Sequence, residues 1–233
     1  MSKIINFIHI PKNAGSSIKE IIRNTNIKHY TGENVKKDFH SKSSTLKNQM
    51  IVLRNPIDRF SSSFVYLVEN RYVNLINNVD KHRLFNDEEF IAIEYLINIG
   101  IDTPEKFVRL WMETKLDYNT IKTTALDKNV SYRFRVLQNI LRLCVFFQKQ
   151  SNWINKNTRY ILILDNLNKE INMLFKTLNI DKILPHLNKS SINKNKYNLS
   201  QESIKFLKIQ YREDFYLYNK YKNIPLRERI PIK

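Results

Sequence analysis

Lys12, Gly15, Ser16 and Ser17 fall within six consecutive residues, and side chains of these types so close together can hold an anion. The lysine supplies a mobile point charge and the two hydroxyls supply donors. They sit in the segment I-I-N-F-I-H-I-P-K-N-A-G-S-S-I at residues 4–18, which reads as a strand, a turn and the start of a helix. A helix start adds unpaired N–H groups and the positive end of the aligned peptide dipoles. Gly15 is one of only three glycines in the chain, and it is read as letting backbone approach a ligand with no Cβ in the way. Because the lysine precedes the glycine by three positions, this is not a Walker A loop, which needs its lysine late and a hydroxyl placed for Mg²⁺.

A second cation occupies an equivalent place. In M-I-V-L-R-N-P-I-D-R-F-S-S-S-F-V-Y-L at residues 50–67, the apolar run Met50 to Leu53 ends in Arg54. Asn55-Pro56 then breaks the strand, and proline suits the first turn of a helix. Arg54 is thus expected at the carboxyl end of a strand, where open α/β sheets place their ligands. Ser62 follows eight residues on, about two turns into the next helix. Arg59 is read as a surface or core-capping arginine.

The two segments resemble the P-loop-fold sulfotransferases that use 3′-phosphoadenosine 5′-phosphosulfate (PAPS), especially the carbohydrate branch. His9 to Ser17, H-I-P-K-N-A-G-S-S, is similar to the family's 5′-phosphosulfate loop. Arg54 to Phe64, R-N-P-I-D-R-F-S-S-S-F, is similar to its 3′-phosphate motif, with Arg54 and Ser62 at the binding positions and Phe64 at the aromatic one. Three weaker likenesses follow in order: Tyr160 to Leu167 resembles a late strand with an acidic turn, Leu184 to Ser190 a loop closing over the nucleotide, and Tyr211 to Phe215 a terminal helix signature.

The resemblance implies sulfuryl transfer from PAPS to an acceptor hydroxyl, with a carbohydrate as the expected acceptor. Such a reaction must align nucleophile and leaving oxygen and stabilise charge as it moves. Lys12 is assigned to the leaving 5′-phosphate oxygen. Pro11, Asn13, Ala14, Gly15, Ser16 and Ser17 complete the 5′-phosphate loop, with N–H groups from Asn13 to Ser17. Arg54 and Ser62 are assigned to the 3′-phosphate, Arg54 through its planar donor fork, and Lys189 and Ser190 to the closing loop. The acceptor hydroxyl needs a general base with a pKa near working pH. Of five histidines, His40 is chosen, because a histidine between the two phosphate motifs resembles one in several family members; His29, Asp38 and Glu33 are the alternatives. His9 is read as structural or close to the nucleotide. No metal is expected.

Composition sets outer bounds. The 233 residues, 42% of them hydrophobic, suit one domain with a proper core rather than a disordered chain. One cysteine, Cys144, excludes an intrachain disulfide framework, and its setting L-C-V-F-F marks it as a buried thiol rather than a nucleophile. The opening apolar run is too short for a membrane span or signal peptide, so the expectation is a cytoplasmic protein. A formal charge of +17 predicts attraction to polyanions. The basic residues are scattered and carry no nucleic-acid-binding signature, which argues for PAPS and an acidic glycan over nucleic acid.

Periodicity predicts strands near 4–10, 50–53 and 159–164, and helices near 16–24, 57–72, 87–99, 104–115, 166–178 and 200–220. Strands separated by helices imply a parallel sheet with crossover helices. With the resemblance this becomes a three-layer P-loop-NTPase-like fold, a central parallel sheet flanked by helices, spanning residues 1–233 as a single domain. Residues 70–150 are read as a variable helical acceptor region, and 185–200 as a polar, mobile loop over the nucleotide. A P-loop-fold nucleotide kinase or NTPase, and a catalytically silent polyanion-binding module, are the competing readings.

Overall fold

The computed structural model describes residues 4–31, 46–72, 87–118, 131–182 and 198–229. The described residues within 1–56, 149–191 and 213–233 form one compact unit, and those within 57–148 and 192–212 form another.

The first unit is a mixed α/β body built on four parallel strands: β1 (Ile5–His9), β2 (Ile27–Thr31), β3 (Gln49–Leu53) and β4 (Thr158–Ile163), in the spatial order β2-β1-β3-β4. Strands β1 and β3 are central, and their residues are almost all buried. That burial on both faces explains why I-N-F-I-H and Q-M-I-V-L read as near-continuous apolar runs rather than alternating ones. The edge strand β2, I-K-H-Y-T, carries exposed Lys28 and half-buried His29 and Tyr30. It lacks an apolar run, so no strand was predicted there. Its register against β1 pairs Ile5 with Ile27 and His9 with Thr31.

Helix α1 (Gly15–Ile21) follows β1. Ile18, Ile21 and Ile22 pack with Ile5, Phe7, Met50, Val52 and Leu162 of the sheet, and with Ile171, Leu174 and Phe175 of the helix that follows β4, Leu167–Thr177. Ile8, Ile51, Leu53, Ile161 and Ile163 are buried as well, so neither face of the sheet is bare. The Glu170 carboxylate, 3% exposed, is fully engaged: it accepts from the Ile163 N–H at 2.7 Å and from Arg229 Nη2 at 2.5 Å. Arg229 Nη1 also reaches the Ile161 carbonyl at 2.7 Å, which ties the last described helix, Leu226–Arg229, to the end of β4. A buried ion pair of this kind is tolerated because its remaining donors and acceptors are satisfied.

The second unit is helical. Helix α2 (Pro56–Val65) starts at its boundary and continues as a π-helical stretch, Tyr66–Tyr72, where an unbroken α-helix was predicted. Helices α3 (Asp87–Asn98), α4 (Pro104–Thr114), α5 (Tyr132–Leu143) and α6 (Gln201–Gln210) follow. Helix α5 was missing from the sequence reading. Thr103, Ser131 and Ser200 cap α4, α5 and α6 by accepting from the N–H three residues on. The core of this unit is aromatic: Phe60, Phe64, Phe107, Trp111, Phe147 and Tyr211 are all buried. Cys144 is buried too, and Arg59, 2% exposed, caps the core by donating to the Gln148 carbonyl at 2.8 Å.

The helix expected over 200–220 is two helices. The chain leaves helical geometry at Tyr211 (φ −106, ψ 26) and resumes as α7 (Arg212–Asn223). Among the described residues, no helix is long and apolar enough to cross a membrane.

Candidate functional site

The strand order creates a switch point. From β1 the chain passes through α1 to β2 on one side, and β3 lies on the other side of β1 with β4 beyond it. The loops after β1 and β3 therefore diverge from adjacent strands, and the crevice at their carboxyl ends is where open α/β sheets bind ligands. Lys12 and Arg54 occupy those two loops.

The β1 loop is held in an uncommon shape. Lys12 (φ 65) and Ala14 (φ 61) are both left-handed, a conformation that costs a non-glycine residue on the order of 1 kcal/mol. Asn13, 1% exposed, sustains it: its N–H donates to the Ile10 carbonyl at 3.2 Å, and Nδ2 donates to the Val52 carbonyl at 2.7 Å and to Gln150 Oε1 at 2.6 Å. Asn13 thus serves the loop's own structure, with its N–H and its side-chain amide both donating within the protein. No side chain caps α1 at Ala14. Ser16 is exposed, whereas Ser17, Lys12 and Pro11 are half-buried.

Gly15 has a structural reason of its own beside the one expected. A Cβ there would lie 1.8 Å from His9 Nε2, so the imidazole of His9 already fills the space a side chain would need. His9 in turn meets His29 across the β1–β2 pairing, with Nδ1 and Nε2 3.3 Å apart, and stacks on Phe7 at 6.1 Å between ring centres. Burial first, then the charges of His29, Lys12 and Lys19, bring the His9 pKa down from 6.5 to about 4. Burial and then Lys19 also lower that of His29. Both rings are therefore neutral at pH 7.

A protonation that folding suppresses makes the protein acid-sensitive. The unfolded chain takes a proton on His9 near pH 6.5 and the folded chain only near pH 4, so the stabilisation present above 6.5 is lost across that interval, at most about 3 kcal/mol. Melting temperature is expected to fall more steeply between pH 6.5 and 4.5 in the native protein than in His9→Gln. Parallel curves would remove His9 from the acid response.

Lys12 and Arg54 are brought together. Arg54 Nη1 donates to the Lys12 carbonyl at 2.9 Å. Burial, then the Arg54 charge, brings the Lys12 pKa down from 10.5 to about 8. The backbone of Arg54 is fixed by Gln150, whose Oε1 accepts from the Arg54 N–H at 2.9 Å and whose Nε2 donates to its carbonyl at 2.8 Å. Asp165, beyond the end of β4, accepts from Tyr218 Oη at 2.5 Å and from Lys222 Nζ at 2.9 Å. Burial opposes its ionisation, but these hydrogen bonds and the charges of Lys222 and Arg54 outweigh it and lower its pKa.

Ser62 is half-buried on α2, in the helical unit. His40, Lys189 and Ser190, with Glu33 and Asp38, lie outside the described residues. Gln150 and Asp214 were missed in the sequence. Neither stands in a spacing pattern, although Asp214 belongs to the Y-R-E-D-F segment already singled out. Among the described residues, no group of three or more His, Cys, Asp or Glu side chains could hold a metal ion. A cleft of about 280 Å³ shares Lys222 with the Asp165 end of the sheet, but none of its lining residues comes from the two cationic loops.

No protein-family model, no curated protein and no solved structure matches the chain.

Proposed function

We propose that the chain is a PAPS-dependent sulfotransferase acting on a hydroxyl of a carbohydrate. The observation that carries this reading is the meeting of Lys12 and Arg54 at the switch point: two cations 42 residues apart in sequence, joined by the bond from Arg54 Nη1 to the Lys12 carbonyl. The pair stands at the carboxyl ends of adjacent parallel strands, where open α/β sheets bind their ligands, and each cation can make a charge-assisted contact to a phosphate. A nucleotide phosphorylated at both the 3′ and 5′ positions is an anion with two such ends, and the resemblance of both loops to the family's motifs names which end goes where.

In this reading Lys12 stabilises charge on the 5′-phosphate oxygen as its bond to sulfur breaks, while the acceptor oxygen forms the new bond to sulfur. The acceptor's proton goes to a general base, His40 by the resemblance. Arg54 binds the 3′-phosphate. Because Arg54 also holds the Lys12 carbonyl, Arg54→Ala should disturb the lysine loop as well as remove a phosphate ligand.

Calorimetric titration with adenosine 3′,5′-bisphosphate, beside 5′-AMP and ATP, tests the assignment. The bisphosphate is expected to bind at least about tenfold more tightly than 5′-AMP, from one added charge-assisted contact, and Arg54→Ala should erase the difference. Equal affinity for the three nucleotides would overturn the reading. Mg²⁺-dependent ATP hydrolysis would favour a kinase or NTPase instead.

A further inference from the structure

Resting on the nucleotide reading above, we infer that Gln150 is a positioning residue that sets the spacing of the two cationic loops, and thereby makes the site selective for a nucleotide with phosphates at both 3′ and 5′. The β3–β4 ladder ends at Leu53 paired with Ile163. Arg54 is the next residue, and its N–H and C=O still need partners. The Gln150 side-chain amide supplies both, at 2.9 and 2.8 Å, in the manner of one more strand residue. The same Oε1 accepts from Asn13 Nδ2 at 2.6 Å. One buried amide, 1% exposed, thus binds the loop after β1 and the loop after β3 at once.

Gln150 is itself anchored. Asp214, also 1% exposed, accepts from the Gln150 N–H at 2.7 Å and from the Ser151 N–H at 2.9 Å, one carboxylate oxygen to each. These bonds fix the start of the short 3₁₀ turn Gln150–Trp153. Acidic side chain, turn, amide and the two loops therefore form one continuous hydrogen-bonded chain.

Spacing matters for a two-headed ligand in a way it does not for a one-headed one. Each phosphate alone can follow its own loop wherever that loop settles. Binding both through a rigid ribose requires the loops at one separation, and the second contact is gained only where the geometry allows both together. Loosening the spacer should therefore remove the advantage of the second phosphate and leave each single phosphate nearly as well held as before. A merely structural glutamine would affect all three ligands alike.

The experiment titrates native protein and Gln150→Met with adenosine 3′,5′-bisphosphate, 5′-AMP and 3′-AMP, and follows thermal melting in parallel. Methionine keeps the length of the side chain and removes its donor and strong acceptor. The expected result is a loss of about tenfold or more for the bisphosphate and less than about threefold for either monophosphate. Where Gln150→Met does not fold, Asp214→Asn, which leaves the amide in place and weakens its anchor, is expected to shift the same ratio in the same direction. A bisphosphate preference that survives in the variant overturns the inference, as does an equal loss for all three ligands. A native protein without that preference overturns the nucleotide reading, and the inference falls with it.

Discussion

Gly15→Ala is expected to destabilise the protein by about 3 kcal/mol, the upper end of what overpacking a filled site costs, and to disable the β1 loop with it. The added Cβ would stand 1.8, 1.9 and 2.2 Å from three atoms of the His9 ring, so the ring as a whole must leave. It is constrained on two sides: it stacks on Phe7, faces His29 at 3.3 Å and is half-buried. If the ring stays, α1 must back away and carry the Lys12 loop with it. Backbone preference works in the opposite direction, because alanine is favoured over glycine in a helix by about 0.5–1 kcal/mol. Any loss must therefore come from the collision. A double-mutant cycle isolates it. In a His9→Ala background, Gly15→Ala should be neutral or slightly stabilising in denaturant unfolding. If it costs as much there as in the native protein, the contact with His9 is not the reason for the glycine.

That contact shows what a single sequence withholds. The glycine stood out by its rarity and place, but its partner is six residues away on a strand, and no local rule pairs them. Strands β1, β3 and β4 could be read because burial on both faces leaves an apolar run. The edge strand β2 leaves none in I-K-H-Y-T. Helix α5 was readable in principle, since Val136, Leu137, Ile140 and Leu141 are buried at helical spacing. The break at Tyr211 in the helix expected over 200–220 could not be read, because Leu207, Tyr211 and Tyr218 keep helical spacing in the sequence and that spacing does not register the change of backbone geometry between them.

The candidate site divides along the same line. Lys12 and Arg54 could be placed at the sheet's carboxyl edge because each follows an apolar strand directly. Gln150 bonds to Arg54 across 96 residues, and Asp214 bonds to Gln150 across 64. Such pairings follow from the register of the sheet and the path of the chain, which spacing does not encode.

Lys12→Met is expected to lower turnover by about 10²–10³, the range for removing one group that stabilises charge in a transition state. The companion pH behaviour makes the claim specific. In the ligand-free protein the Lys12 pKa is about 8, because burial and then Arg54 disfavour its charge. It is a cation below that pH and neutral above, so kcat/KM, which reports the free enzyme, should fall as pH rises through about 8. An incoming phosphate raises the pKa again, so nucleotide binding near pH 8 must take up a proton. Calorimetry in two buffers of different ionisation enthalpy measures that uptake. The stability of the ligand-free protein moves the other way: the unfolded chain keeps its Lys12 proton to 10.5, so folding gains as pH rises from about 8 to 10.5. Arg54→Ala removes the neighbouring charge and should shift the alkaline limb upward, whereas Lys12→Arg, charged throughout this range, should abolish it. A limb near pH 8 that persists in Lys12→Arg belongs to another group, and Lys12 would then lose its assigned role at the leaving oxygen.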